Sequence, residues 1–196
     1  GCDKNLVDSE ALLNVFRGRG IAAAQDPDDA DIWVLNSCGF IEGARTDSAD
    51  TLRQLADHKE GRTLVVCGCW SQEHGDAIRK AYPEVDLVAG VGKFEEVVAA
   101  CAGEAPARPV LDTGAFAMAG PPLVSPPEDA SYVGMINRPL LTPPHVAFVK
   151  IAEGCNCACT FCRIPLIRGK QRSRPVAEIV TEVRGLVESG VSEIQI

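Results

Sequence analysis

Short apolar runs alternate with helical stretches along the first hundred residues, and this alternation constrains the fold more than any other feature of the chain. The apolar runs predict buried strands at 32–36, 64–67 and 86–89. The spacing of apolar residues predicts helices at 6–19, 41–58, 71–82 and 94–101. Short buried strands alternating with helices are typical of a doubly wound parallel sheet. The predicted fold class of this part of the chain is therefore α/β.

A proline-rich segment follows and interrupts this pattern. Between residues 103 and 144 the prolines are Pro106, Pro109, Pro121, Pro122, Pro126, Pro127, Pro139, Pro143 and Pro144. Because proline lacks an N–H and fixes its own φ angle, this density blocks regular hydrogen bonding. We interpret 103–144 as a linker that wraps between two domains. The N-terminal domain then comprises residues 1–102.

Residues 145–196 return to a regular pattern. A strand at 146–151 runs into a cysteine-rich loop, a helix follows at 176–189, and a further strand begins at 193–196. This order suits the first unit of a parallel β/α barrel, which carries its chemistry at the carboxyl ends of the strands. The chain opens on Gly1 rather than Met and closes within a strand, so we expect a fragment with a truncated barrel.

Composition and charge narrow the class of protein. The chain has 196 residues, is 46% hydrophobic and 23% charged, and has no apolar run near the roughly 20 residues of a membrane helix. We therefore expect a globular protein without membrane contact. The net charge of −8 arises in residues 1–144, since residues 145–196 hold 7 Lys and Arg against 5 Asp and Glu. Bulk charge thus gives no support for nucleic-acid binding by the first part.

Three cysteines of the second domain, Cys155, Cys159 and Cys162, stand at the spacing Cys-x3-Cys-x2-Cys. Three thiolates so spaced can hold three irons of a [4Fe-4S] cluster and leave the fourth iron open for a substrate or cofactor. A structural zinc site is the alternative, because Cys157 supplies a fourth sulfur. Zinc sites normally draw paired cysteines from two separate knuckles, so the spacing favours iron. Cys157 is then either a bystander or a replacement ligand in a damaged cluster.

A second set of cysteines is predicted at the strand ends of the first domain. Cys38 and Cys69 each follow a predicted strand, and Cys2 takes the equivalent place if a further strand precedes it. Ligands of a doubly wound sheet gather beyond the carboxyl ends of its strands. We therefore expect these three thiolates to meet at one edge and to hold a second cluster. Cys67, inside a strand, and Cys101, on the last helix, are expected to pack in the core.

The cysteine total also bears on the compartment in which the protein works. Nine cysteines are an odd number, and several stand at metal-ligand spacing rather than as a disulfide framework. Free thiolates of this kind indicate a reducing environment, so we expect a cytoplasmic protein.

Taken together, these motifs resemble a known family. The Cys-x3-Cys-x2-Cys spacing, with Phe161 before its last cysteine, is similar to the signature of the radical S-adenosylmethionine (SAM) enzymes. The segments that resemble the methylthiotransferases of that superfamily are 1–10, 36–41, 68–72 and 168–175. The form Lys-Asn-Leu-Val-Asp-Ser-Glu at residues 4–10 is similar to the RimO branch.

The resemblance implies SAM as a cofactor, two [4Fe-4S] clusters and an activity. Cys155, Cys159 and Cys162 would bind the cluster that cleaves SAM, and the strand-end cysteines would bind an auxiliary cluster that carries sulfur. One SAM would methylate that sulfur, and a radical from a second SAM would abstract hydrogen from the target carbon. In the RimO branch the target is the β-carbon of an aspartate in a small-subunit ribosomal protein. No catalytic residue beyond the cluster ligands is assigned.

The same resemblance implies partners and further cofactor contacts. The partners would be the ribosomal protein and an electron donor of the flavodoxin or ferredoxin type. Phe161, Arg168 and Arg174 are the expected cofactor-binding residues outside the clusters. The two arginines belong to a basic run that also contains Arg163, Lys170 and Arg172. A solvated face is the alternative interpretation of this run, and contact with the SAM carboxylate or an acidic substrate is the functional one.

Other functions remain open on the sequence alone. The same chemistry could act on an adenosine in tRNA, in which case tRNA is the partner and a basic RNA-binding module should follow residue 196. The chain could also be a non-catalytic iron–sulfur carrier or a zinc-binding module. Because most of the expected barrel is missing, we expect residues 1–196 to be inactive by themselves.

Overall fold

The computed structural model describes residues 1–104, 124 and 132–196. Its first part contains a parallel sheet with the strand order β1-β2-β3. The strands are β1 (Ile32–Ser37), β2 (Thr63–Gly68) and β3 (Leu87–Val88). The helices of this part are α1 (Asp3–Gly18), α2 (Glu42–Asp57), α3 (Cys69–Ala81) and α4 (Phe94–Cys101), and a short 3-10 helix spans Pro27–Asp29. Strands and helices alternate along the chain, so the predicted α/β fold class is confirmed.

The helices cover both faces of this sheet. On one face, α1 and α4 pack against Val65 and Cys67 of β2. On the other face, α2 and α3 pack against Leu64 and Val66 of the same strand. Successive residues of a strand point to opposite faces, so a continuous apolar run is what a central strand buried on both sides requires. Leu52 of α2 illustrates the packing, since none of its surface is exposed.

Two helices begin earlier than the apolar spacing predicted. Helix α1 begins at Asp3, so the predicted start at residue 6 is wrong. Asp3 and Lys4 are exposed and leave no apolar signal, and the carboxylate of Asp3 suits the positive end of the helix dipole. Helix α3 begins at Cys69, and its backbone departs from helical angles at His74.

The second part begins with a parallel pair of strands, β4 (Val146–Phe148) and β7 (Glu193–Gln195). Helix α6 (Val176–Glu188) connects them and packs on the pair through a small core of Ala147, Val149, Leu186 and Val191. This strand–helix–strand unit is parallel, and the start of a barrel stays a prediction. The domain bounds 1–102 and 145–196 also stay predictions, and most of the predicted linker 103–144 lies outside the described residues.

The predicted strand 146–151 is confirmed only as far as Phe148, where β4 ends. After β4, residues Ala152–Glu153 form β5, which pairs antiparallel with β6 (Arg172–Ser173). The short helix α5 (Ile164–Ile167) lies between them in the chain. The β5–β6 pair joins the two ends of the cysteine-rich loop. It is therefore the local frame on which Cys155, Cys159 and Cys162 stand.

Candidate metal centres

The first centre consists of Cys2, Cys38 and Cys69 and lies at the carboxyl edge of the parallel sheet. Ser37 of β1 pairs with Gly68 of β2, so the residues that follow, Cys38 and Cys69, leave the sheet at the same level. Cys2 is the residue before α1. Burial is the main cause that raises the pKa of the Cys69 thiol, and the charge of Cys2 adds to it. The structure thus brings the three strand-end cysteines into one neighbourhood.

A close contact between loops joins Cys38 to Cys69. A Cβ atom on Gly39 would lie 2.7 Å from the Cα atom of Trp70 and 3.2 Å from the carbonyl carbon of Cys69. Glycine is therefore required for the loop after β1 to approach the start of α3. Ser48 of α2 fixes the same loop, because its hydroxyl accepts a hydrogen bond from the N–H of Cys38 at 3.1 Å.

An amide network ties the start of α1 to the end of β1. The Nδ2 atom of Asn36 donates to the carbonyl oxygen of Asn5 and to Oγ of Ser9, both at 2.8 Å. Its Oδ1 atom accepts from Nδ2 of Asn5 at 2.7 Å. Cys2 precedes α1 and Cys38 follows β1, so this network fixes the elements that carry two of the three cysteines. Residues 5, 9 and 36, which contributed to the family resemblance, thus position the centre.

Gly68 sets the direction in which the chain enters Cys69. Its φ of 98° and ψ of −156° lie in a region that is essentially restricted to glycine. A Cβ atom there would lie 2.6 Å from the carbonyl oxygen of Ser37 and would also strike Oδ1 of Asn36. Cys69 therefore begins α3 directly after a turn that no other residue type makes without strain.

The second centre consists of Cys155, Cys159 and Cys162, all from the loop between β5 and α5. The N–H of Cys155 donates to the carbonyl oxygen of Gly169 at 3.0 Å, and that of Cys162 donates to the carbonyl oxygen of Cys159 at 3.1 Å. Cys159 is exposed, whereas the other two are half-buried. Phe161 is 83% exposed. Its predicted contact with a cofactor stays a prediction.

Cys157 lies beside this centre and is fully accessible. Its backbone N–H donates to Sγ of Cys155 at 3.4 Å. The hydrogen bond and charge of Cys155 raise the pKa of the Cys157 thiol. Cys157 thus contacts Cys155 through its backbone N–H and through its thiol.

The residues present fit iron–sulfur clusters in their chemistry. All six predicted ligands are free cysteines, and thiolate is the ligand that such clusters use. Within residues 1–104, 124 and 132–196, no group of three His, Cys, Asp or Glu side chains is arranged to hold a metal ion. The chain therefore supplies the required donor atoms in two neighbourhoods, without a ready-formed coordination geometry. The metal-ligand role of the six cysteines stays a prediction.

Two further cysteines lie outside the centres, Cys67, which is buried, and Cys101, which is half-buried. Burial raises the pKa of Cys67 to about 12 and that of Cys101 to about 11. Cys67 belongs to the core between the sheet and α1, and Cys101 packs against that core. The prediction that both cysteines pack in the core is confirmed. Burial also raises the pKa of Cys69, but there the charge and hydrogen bond of Arg168 act in the opposite direction.

A buried ionic network connects the two centres. Arg168 donates from Nη2 to Oδ2 of Asp8 at 2.9 Å and from Nη1 to Oε2 of Glu153 at 3.0 Å. Lys150 contacts the same two carboxylates, donating to Oδ1 of Asp8 and, at 2.8 Å, to Oε2 of Glu153. Burial favours a higher pKa for Glu153, but Lys150 and Arg168 outweigh it and lower the pKa to about 2. The fifth member is Cys69, whose Sγ accepts from Nη2 of Arg168 at 3.2 Å.

A second buried network joins the same two parts of the chain. Arg138 donates from Nε to Oε2 of Glu10 on α1 at 2.8 Å and from Nη1 to Glu182 on α6. Glu182 also accepts from Nη1 of Arg174 at 2.6 Å. The Arg174 guanidinium lies over the ring of Tyr132, 5.6 Å from its centroid. Among the residues that the structure describes, none accepts a hydrogen bond from the buried Nε and Nη2 atoms of Arg174.

Helices α3 and α5, which follow the two centres, pack on each other. Ile167 of α5 forms a small apolar cluster with Cys69 and Val91. Near the surface, Arg163 forms an ion pair with Glu73 of α3. The element after each centre therefore contacts the element after the other.

The sequence is similar to one described family and to several curated proteins. Residues 1–90 match the family described as "Uncharacterized protein family UPF0004". Beyond that match, the protein named "Ribosomal protein uS12 methylthiotransferase RimO" from Desulfosudis oleivorans is 42% identical over 99% of this chain and 42% of its own length. Proteins of the same name from Myxococcus xanthus and Anaeromyxobacter sp. (strain K) are 38% and 41% identical over 100% of this chain and 39% of their own lengths.

These relatives extend the similarity past residue 90, where the family match ends. The alignments cover essentially the whole chain, so the predicted resemblance to RimO-type methylthiotransferases is confirmed. The chain itself spans about two fifths of the length of these curated relatives. None of the helices described is long and apolar enough to cross a membrane.

The structure also corrects the interpretation of the basic run. Arg168 and Arg174 are buried, so the run as a whole is not a solvated face. Both are paired with carboxylates, and their predicted contact with a cofactor stays a prediction. The acidic partners of the buried basic residues were not predicted from the sequence. They are Asp8, Glu10, Glu153 and Glu182. A usable signal was present for the first two, because they fall within the apolar stripe of α1, and buried carboxylates are rarely left unpaired.

Proposed function

We propose that this chain is the cluster-binding part of a radical SAM methylthiotransferase that adds a methylthio group to the β-carbon of an aspartate in ribosomal protein uS12. The main support is the packing of two cysteine centres across α3 and α5, in a chain similar throughout to proteins named uS12 methylthiotransferase. The enzyme would work in the cytoplasm. An electron donor of the flavodoxin or ferredoxin type would supply it.

Under this proposal each centre holds one [4Fe-4S] cluster. When bound, the cluster at Cys155, Cys159 and Cys162 supplies the electron that cleaves SAM, and the cluster at the strand-end cysteines supplies a site for the sulfur that is transferred. The other residues orient these ligands. The Asn5–Asn36 pair holds the elements that carry Cys2 and Cys38, and the α3–α5 contact keeps the two centres adjacent. Adjacent centres suit a reaction in which the activated carbon must meet the methylated sulfur.

Iron analysis tests the assignment of ligands. In the product of the complete gene, reconstituted anaerobically, we expect about eight iron atoms per chain, four from each [4Fe-4S] cluster. Replacing Cys2, Cys38 and Cys69 together by Ala should remove about half of the iron, and replacing Cys155, Cys159 and Cys162 should remove the other half. The variants Cys67→Ala and Cys101→Ala are matched controls, because both cysteines pack in the core. Zinc in place of iron would refute the enzymatic function.

Mass spectrometry tests the substrate. The reconstituted protein is incubated with SAM, reductant, sulfide, uS12 and tRNA, and both substrates are then examined. A methylthio group on an aspartate of uS12 is the expected product. Methylthio-adenosine in tRNA would show that the substrate is tRNA and not uS12. Cleavage of SAM without either product would support the radical chemistry and refute both substrates. We expect residues 1–196 by themselves to give no product, and methylthiolation by that chain would contradict this part of the proposal.

A further inference from the structure

Among the described residues, Arg168 contacts both a cysteine of the first centre and carboxylates close in sequence to cysteines of both centres. Its guanidinium contacts Asp8, which follows Cys2 by six residues, and Glu153, which precedes Cys155 by two. It also donates to Sγ of Cys69 at 3.2 Å. One side chain thus touches a cysteine of the first centre and the residues that flank cysteines in both.

The position of this guanidinium is tightly determined. Arg168 is 4% exposed, and Lys150 contacts the same two carboxylates, Asp8 and Glu153. Two carboxylates against two cations in a buried site hold the planar fork of arginine in one orientation. Because Nη2 bonds to both Asp8 and Cys69, the N–H···S contact is part of this fixed geometry. A lysine in the same place could supply the charge but not the fork.

A hydrogen bond to a ligand sulfur has a predictable effect on a bound cluster. Donors to the sulfurs help to set the reduction potential of iron–sulfur clusters, and groups outside the first coordination sphere orient the ligands. The reduced cluster carries more negative charge on its sulfurs, so an N–H donor stabilises it relative to the oxidised cluster. The contact between Arg168 and Cys69 should therefore favour reduction of the cluster in the first centre.

We propose that Arg168 is a positioning residue that holds Cys69 against the second centre and raises the reduction potential of the cluster bound by Cys2, Cys38 and Cys69. This inference rests on the proposed function, because it needs a cluster at the first centre. It differs from the predicted role of Arg168 in binding a SAM carboxylate. Its effect is on the cluster and is measurable without turnover.

The test uses the complete protein with Cys155, Cys159 and Cys162 replaced by Ala, so that only the first centre binds iron. The midpoint potential of its cluster is measured by reductive titration followed by electron paramagnetic resonance. Arg168→Met should lower the midpoint potential by about 59 mV. For a one-electron couple, that shift makes the ratio of reduced to oxidised cluster about ten times smaller at a fixed potential. Arg168→Lys keeps the charge and should leave most of this loss in place.

Two matched controls separate the hydrogen bond from charge and from the interface. Lys150→Met removes a cation from the same network that makes no contact with sulfur, and Arg163→Gln removes a cation from the α3–α5 contact. Both should shift the midpoint much less than Arg168→Met. A shift in Lys150→Met equal to that in Arg168→Met would overturn the inference, and so would an unchanged midpoint in Arg168→Met and Arg168→Lys.

Iron content separates failure of this inference from failure of the proposed function. If the first centre binds iron and the Arg168 variants do not change its potential, only the role of Arg168 is refuted. If the first centre binds no iron in the background protein, the proposed function fails and the role of Arg168 fails with it. Should Arg168→Met fail to fold, the comparison of Arg168→Lys with Lys150→Met decides the outcome.

Discussion

The two cysteine centres are built in different ways. The first takes Cys38 and Cys69 from the ends of separate strands and Cys2 from the start of a helix. The second takes all of its cysteines from one loop, residues 155–162. Spacing along the chain therefore defines the second centre, whereas only the parallel sheet defines the first. The first should depend on distant residues that hold its elements, and the second should tolerate changes to them.

Many of the contacts between the N-terminal part of the chain and the part that carries the second centre are ionic. The buried ion pairs around Arg138 and Arg168 join α1 to the second part of the chain. Buried pairs contribute little net stability compared with apolar packing, but loss of one partner is costly because it strands the other charge. We therefore expect such an interface to fix one relative arrangement of the two centres more strongly than it stabilises the fold.

The largest expected effect follows from removal of Arg138. The Arg138→Met variant leaves Glu10 and part of Glu182 as buried carboxylates without their partner, and we expect it to lower the free energy of unfolding by about 3–5 kcal/mol. Urea denaturation of the complete protein measures this. The control is Arg53→Met, which removes an exposed pair with Asp50 and should change the free energy by about 0.5 kcal/mol or less. Equal effects of the two variants would show that the buried pairs do not hold the regions together.

A smaller effect, confined to the first centre, is expected from Gly68→Ala. Alanine at position 68 would be strained in this backbone conformation, and its Cβ atom would clash with the carbonyl oxygen of Ser37. We expect the free energy of unfolding to fall by about 1–3 kcal/mol and Cys69 to be displaced. Iron in the first centre should fall while iron in the second is retained. Gly43→Ala is the control, because Gly43 lies on α2 and, apart from the backbone of that helix and its chain neighbours, no described residue comes within 4 Å of a Cβ there. Loss of iron from both centres would remove the distinction between them.

The sequence predicts much of the sheet but little of the interface, for physical reasons. The run Leu64–Cys67 is apolar on both sides, so a buried central strand follows directly from its composition. The pairing of Asp8 with Lys150 joins residues 142 positions apart, and no periodicity reports such a contact. The start of α1 at Asp3 was missed for a related reason, because an exposed first turn carries no apolar pattern.

The two candidate centres also differ in how far the sequence alone predicts them. Cys155, Cys159 and Cys162 are predicted from local spacing, whereas the strand-end cysteines required a fold hypothesis before they could be grouped. Once β1 and β2 are known to be parallel and in register, Cys38 and Cys69 fall at the same edge. The contact of Arg168 with Cys69 required the side-chain positions themselves.

An intermediate effect is expected from Asn36→Ala. This change removes three hydrogen bonds and leaves the Asn5 amide and Ser9 hydroxyl partly buried without their partner, at a cost of about 1–3 kcal/mol. Thermal denaturation and iron analysis measure the result, and iron should be lost from the first centre in preference to the second. Thr51→Ala on the exposed side of α2 serves as the control. An Asn36 variant that keeps both its stability and its iron would show that the amide network is not what holds Cys2 near Cys38.

The smallest effect is expected from Cys157→Ala, and it tests how local the second centre is. The side chain of Cys157 is exposed, and the backbone N–H that donates to Cys155 is retained in the Ala variant. Iron content and the spectrum of the second cluster should therefore be unchanged, and the free energy of unfolding should change by about 0.5 kcal/mol or less. Cys159→Ala, two residues further along the same exposed loop, should abolish that cluster. If both variants lost iron equally, the spacing Cys-x3-Cys-x2-Cys would not describe the ligand set, and a site that uses four sulfurs would replace it.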